Sequence, residues 1–170
     1  MALHGWLDNA ASFIPVAPFL QDFRLIAIDL PGHGLSSHVP QGCYFHFVDL
    51  AATVVNVMDA LKWKQCSLIG HSLGAGVASI VAGVIPERIQ ALGLIDGIGP
   101  LTVSEEQTPD MIRKSISEYQ QLPNKKLTLY ASKDDAIEAR LAVSKMERSS
   151  VQLLVERGVK RMDNGFNWRT

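Results

Sequence analysis

Apolar residues along the chain fall into two kinds of pattern. Phe47, Ala51, Val54, Met58 and Leu61 recur at steps of three and four, with Val48 and Val55 widening the stripe. That period predicts an amphipathic helix packed on a sheet. Short continuous apolar runs stand around it: "FRLIAIDL" (Phe23–Leu30), "QCSLIG" (Gln65–Gly70) and "IQALGLID" (Ile89–Asp96). Each is bounded by turn residues and reads as a buried strand. Between the last two lies Leu73 to Ile85, a helix of Ala, Gly, Ser and Val stopped by Pro86. Its small side chains allow close approach to a sheet. Upstream, Asp8 or Asn9 can cap a helix over Ala10–Leu20, disturbed by Pro15 and Pro18. Leu3 leaves only a strand stub before His4-Gly5.

Strand, helix, strand, helix, strand is the alternation of an α/β fold, a parallel sheet with helices on both faces. Right-handed crossovers then bring Asp29, Gly70 and Asp96 to one edge, the C-terminal ends of the strands, where ligands bind in open sheets. After Gly99-Pro100 the texture becomes helical. Thr108 caps a helix opening with Pro109, and Met111, Ile112, Ile116 and Tyr119 line one face. Ser132 caps a second helix, carrying Ile137, Leu141 and Val143. Ser149 or Ser150 caps a third, ended by Gly158. No strand pattern returns here except a short "LTLY" (Leu127–Tyr130). The expected organisation is a sheet-containing part over 1–100 and a helical segment over 101–170.

Composition narrows the function classes. The 170 residues are 47% hydrophobic and 19% charged, enough for a real core. Net charge is −1 with no basic run, so neither nucleic acid nor an anionic membrane surface is an expected partner. No apolar run reaches the roughly 18 residues of a membrane span. The N-terminus lacks a signal-peptide pattern, and a reducing, cytoplasm-like compartment is the default. Cys43, in a loop, and Cys66, in a strand, show no metal-ligand spacing and read as free thiols. No metal or organic cofactor is expected.

The chemistry concentrates in "LIGHSLGAGVAS" (Leu68–Ser79). A strand turning at once into a helix forces the residue between them to positive φ. The residues two before and two after must then be small, because the two arms nearly touch. Gly70 and Gly74 satisfy this around His71, Ser72 and Leu73. Ser72 is held out at the sheet edge with a helix N-terminus behind it, and the Leu73 amide can donate to a developing oxyanion. A tight turn with an incidental serine is the bland alternative. "LHGWLDNAASF" (Leu3–Phe13) puts a second amide, that of Trp6, near the same point, with His4 as a structural turn residue. "DLPGHGLSS" (Asp29–Ser37) is a glycine-rich turn whose His33 also reads as structural.

These three motifs, in this order, resemble the α/β-hydrolase fold superfamily. The wording of "HGWLDNAASF", with "VERGVKRMDNGFNWR" (Val155–Arg169) in the tail, is similar to its serine-hydrolase-like subgroup. The resemblance implies a partial α/β-hydrolase fold with a helical cap at the C-terminal end. It implies hydrolysis of an ester-like bond of a small-molecule acyl substrate through an acyl-serine. Ser72 would be the nucleophile and the amides of Trp6 and Leu73 the oxyanion hole. Trp6, Phe13 and the cap's apolar residues would favour a hydrophobic acyl group. Serine at position 72 argues against the aspartate-nucleophile chemistries of some relatives.

The nucleophile's partners are harder to place. The histidines are His4, His33, His38, His46 and His71, and none follows residue 71. The family's position for the catalytic histidine, after the last strand, is not in the chain. Asp96 is a candidate acid, or else a polar residue binding loop amides near Gly97 and Gly99. Asp134, Asp135 and Asp163 read as capping or solvated charges. Both ends of the pattern look cut, so a fragment without efficient turnover is expected. The competing reading is a non-catalytic binding or scaffold protein that retains the elbow.

Overall fold

Residues 1–38, 40, 46–121 and 128–169 are described by the computed structural model of the chain. Cys43, and Leu127 of the expected short strand, lie outside them. The sheet has four parallel strands in the order β2-β1-β3-β4. They are β1 (Ala2–Leu3), β2 (Ala27–Ile28), β3 (Cys66–His71) and β4 (Ile89–Ile95). In register, Leu3 pairs with both Ile28 and Gly70, and His71 pairs with Ile95. All four strands therefore end along one line.

Alternation along β3 decides the packing. Cys66, Leu68 and Gly70 are buried, while Ser67, Ile69 and His71 are half-buried. The buried set joins α1 (Phe47–Ala60) and α2 (Leu73–Val84) in one core of Leu3, Leu50, Val54, Met58, Val77 and Val81, with others. α1 and α2 pack against each other on one face of the sheet. On the opposite face Ala91, Gly93 and Ile95 of β4 are exposed.

Two expectations shrink. The run Phe23–Leu30 forms a strand only at Ala27–Ile28, because its partner β1 offers two residues to pair with. Ala10–Leu20 is two 3₁₀ turns, Ala10–Phe13 and Ala17–Phe19, with Pro15 between them and Pro18 in the first positions of the second. Asn9 is the cap, its side chain accepting from the Ala11 amide at 3.0 Å. Phe13 is buried rather than presented to a ligand.

The C-terminal part contains α3 (Thr108–Gln121), α4 (Lys133–Leu141) and α5 (Arg148–Gly158). Met111, Ile112 and Ile116 of α3 are exposed. Ser132 caps α4 in a reciprocal box with Asp135. Asp134 pairs with Arg148 at 3.4 Å, and Asp163 is exposed. The cap of α5 is Glu147, not Ser149 or Ser150, which fall in the first turn. Gly158 ends α5 for a different reason than a left-handed cap. A Cβ there would meet the Trp168 ring at 2.6 Å. Strands do return, as a hairpin of β5 (Val159–Met162) and β6 (Gly165–Trp168), with Tyr130 bridging to Phe166. Ala136, Ile137, Val151, Val155 and Val159 form a second core there. No helix among the described residues is long and apolar enough to cross a membrane.

Candidate functional site

Ser72 stands between the last residue of β3 and the first of α2, at φ 49° and ψ −112°. For a non-glycine residue that conformation is strained and needs surroundings that enforce it. They do so sterically. A Cβ on Gly70 would lie 2.3 Å from Gly74 O, and one on Gly74 would lie 2.1 Å from Leu3 O. The first turn of α2 thus lies directly on β1 and on its own incoming strand. Ser72 N–H donates to Ile95 O at 2.9 Å, which ties the corner to β4. Leu73 opens α2, so its N–H has no acceptor within the helix.

The loop after β1 runs along the same edge. His4 is fully buried. The Leu30 amide donates to its Nε2 at 2.9 Å, so the ring carries its proton on Nδ1, which donates to Gly5 O at 2.8 Å. Burial pushes its pKa down to about 4, which makes it a neutral structural brace. Trp6 is 61% exposed, and its ring meets that of His33 edge-on at 5.2 Å. His33 is buried, with Nδ1–H donating to Pro31 O at 3.0 Å and Nε2 without a hydrogen-bond partner among the described residues. His71 lies against the same loop: a Cβ on Gly5 would be 2.8 Å from its Nδ1.

Asp29, read from sequence only as a strand end, is a hub. Its side chain is 3% exposed and accepts from the Ala10 amide at 2.7 Å and the Leu35 amide at 2.8 Å. Arg157 of α5 grips both of its oxygens. Burial pushes this carboxyl up, but the Arg157 and amide hydrogen bonds outweigh it and hold it below its ordinary value. Asp8 accepts from Arg140 of α4 at 2.8 Å; burial raises its pKa against the pull of Arg140, His71 and His33. Sequence reasoning missed Arg140 and Arg157, since their partners lie 132 and 128 residues away. No local signal could have found them.

Asp96 follows β4 at φ 55° and is exposed. It is flanked by Ile95, which accepts from the Ser72 amide, and Gly97, where a Cβ would lie 3.5 Å from Ser72 O. Among the described residues its side chain makes no hydrogen bond, neither to a histidine nor to the amides near Gly97 and Gly99. His38 and His46 are exposed, and His46 N–H donates to the Asp49 carboxylate at the start of α1. At that edge Ser72 and Leu73 stand beside Ile95 and Gly97, the neighbours of Asp96, and His71 packs on Gly5 of the loop that carries Trp6.

Residues 1–133 match the family described as alpha/beta hydrolase fold. The chain belongs to that family. Among alpha/beta hydrolases it is similar to a serine hydrolase-like protein of Danio rerio, 37% identical over 98% of this chain and 52% of the relative. A serine hydrolase-like protein of Dictyostelium discoideum is 42% identical over 78% of this chain and 37% of its own length. The crystal structure of a hypothetical protein from Pseudomonas aeruginosa PAO1 superposes with TM-score 0.93 at 40% identity, covering 99% of this chain and 60% of that one. The chain thus spans about half the length of the curated relatives it matches. Its parallel sheet and flanking helices are those of an alpha/beta hydrolase.

Proposed function

We propose that Ser72 is the nucleophile of a serine hydrolase that cleaves an ester-like bond of a small-molecule acyl substrate. The observation that carries this is the strained corner: an otherwise unfavourable φ of 49° is maintained at a serine, on the edge where four strands end. Ser72 Oγ attacks the carbonyl carbon and its proton passes to a base. The amides of Trp6 and Leu73 hold the oxyanion, the bond to the leaving alcohol breaks, and water then releases the acid. Residues 1–100 form part of the hydrolase core and 101–170 a cap. The serine hydrolase-like names of its relatives agree with this reading.

We assign none of the five histidines as the base. His4 and His33 are buried on backbone partners, His71 is packed on Gly5, and His38 and His46 are exposed elsewhere. Asp96 is the candidate acid that would orient a base. The 170-residue chain by itself therefore turns over esters inefficiently. Ser72-dependent esterase activity of the purified chain would refute that. The Asp96 side chain, without a hydrogen-bond partner among the described residues, also fits a second reading, a binding protein that keeps the corner as scaffold. Intact mass and peptide mapping of the protein isolated from its source, after treatment with a serine-reactive phosphonate, decide between them. An adduct on the Ser72 peptide supports a nucleophile; an unlabelled native protein supports binding.

A further inference from the structure

Three consecutive residues of the loop that carries Trp6 are tied to the C-terminal helices. Asp8 accepts from Arg140 Nη2 of α4 at 2.8 Å. Asn9 Nδ2 donates to Leu154 O of α5 at 2.9 Å. The Ala10 amide donates to Asp29 Oδ1, and the Asp29 oxygens receive Arg157 Nε at 3.0 and 2.9 Å and Nη2 at 2.9 Å. On its other side the loop is pinned to the sheet through His4 and the Leu30 amide. Only Gly5, Trp6 and Leu7 span the interval, with Leu7 at φ 60° and the Asp8 amide closing a turn onto Gly5 O at 3.2 Å. The direction of the Trp6 peptide is therefore set between a sheet anchor and a helix anchor.

The helix anchor is a body of its own. α4 and α5 pack together through Ala136, Ile137, Val151 and Val155 and share no buried residue with the sheet core. Beside the packing of α5 on the Ala10–Phe13 turn, what joins them to the loop is polar and directional. Buried carboxylates with specific partners tolerate little displacement, because a partner moved away leaves a desolvated charge unmatched. We infer that Arg140 and Arg157 are positioning residues: the seating of α4 and α5 holds the loop in the shape that aims the Trp6 amide at the Ser72 oxyanion. This rests on the nucleophile reading above. The two arginines differ in a checkable way. Arg157 uses two nitrogens on both carboxylate oxygens, which a lysine cannot reproduce. Arg140 contacts Asp8 through one nitrogen, which a lysine can replace.

The test compares the full chain with Arg157→Lys, Arg140→Lys and Arg140→Gln by hydrogen-exchange mass spectrometry and by the rate of Ser72 labelling with a fluorophosphonate. In the labelling step the Oγ–P bond forms, the P–F bond breaks and the proton goes to buffer. Arg157→Lys and Arg140→Gln are expected to speed exchange over residues 4–13 about tenfold while residues 73–84 stay as protected as before. Labelling should slow by about tenfold in the same two variants. Arg140→Lys should behave like the unmodified chain. Unchanged exchange in the loop overturns the inference. So does an equal rise over 73–84, which is general destabilisation, or a loosened loop with undiminished labelling. Labelling independent of Ser72 defeats the nucleophile reading instead, and the exchange measurement still decides whether the helices hold the loop.

Discussion

Gly74→Ala and Gly83→Ala make the same change in the same helix and should move stability in opposite directions. Intrinsic propensity favours alanine over glycine in a helix by about 1 kcal/mol. At Gly83 nothing lies within 4 Å of the new methyl group, so most of that gain should appear, less what the nearby helix end removes. At Gly74 the methyl would lie 2.1 Å from Leu3 O, 2.5 Å from Leu3 C and 2.8 Å from His4 O. These are backbone atoms. Leu3 is fully buried and paired on both sides, to Ile28 and Gly70, so it has no room to retreat. Overpacking of this kind costs typically 1–3 kcal/mol, and more where backbone must shift. We expect a net loss of about 2 kcal/mol or more for Gly74→Ala and a gain of about 0.5 kcal/mol for Gly83→Ala. Urea unfolding followed by far-UV circular dichroism measures both midpoints. A Gly74→Ala protein as stable as the parent would refute the reasoning. It would mean that the first turn of α2 does not press on β1, and that close approach is not what maintains the Ser72 conformation.

Other expectations follow from single contacts. His4, depressed to about 4 in the folded chain against 6.5 when unfolded, binds its proton more readily unfolded. Its contribution is complete above pH 6.5 and is lost as pH falls toward 4, by about 3 kcal/mol. In His4→Asn, urea titrations across that window should show a stability slope smaller by about 1.4 kcal/mol per pH unit, the value for one proton; an unchanged slope would assign the dependence elsewhere. Ser132→Ala removes the hydroxyl half of the α4 capping box, leaves the Ser132 amide on the Asp135 carboxylate, and should cost about 1 kcal/mol, with no loss if the Asp135 amide finds another acceptor. Gly165→Ala places a methyl 2.3 Å from Tyr130 O at φ 140°. Exchange protection of the β5–β6 amides should fall while that of β3 persists.

The hairpin shows how local signals were misread. The two-residue loop is Asp163-Asn164, both turn formers, but its flanks, Val-Lys-Arg-Met and Gly-Phe-Asn-Trp, are short and too polar to register as strands. Tyr130 and the packing of Trp168 over Gly158 complete what the alternation lacks. The run Phe23–Leu30 errs the other way. Its apolar content suits a strand of eight residues, yet pairing stops after two because a strand is as long as its neighbour allows.

By itself the sequence determined the elements whose causes lie within one or two turns of chain. Period and side-chain volume make α1 and α2. Apolar runs between turn residues make β3 and β4. The spacing Gly70, Ser72, Gly74 announces the corner, since steric exclusion across it involves neighbours. Only the tertiary structure decided that α1 and α2 share one face, that Phe13 is core, and that Asp29 meets Arg157 and Asp8 meets Arg140. Those outcomes depend on which surfaces are brought together after long stretches of chain. A carboxylate and a guanidinium more than a hundred residues apart leave no mark on each other's local sequence.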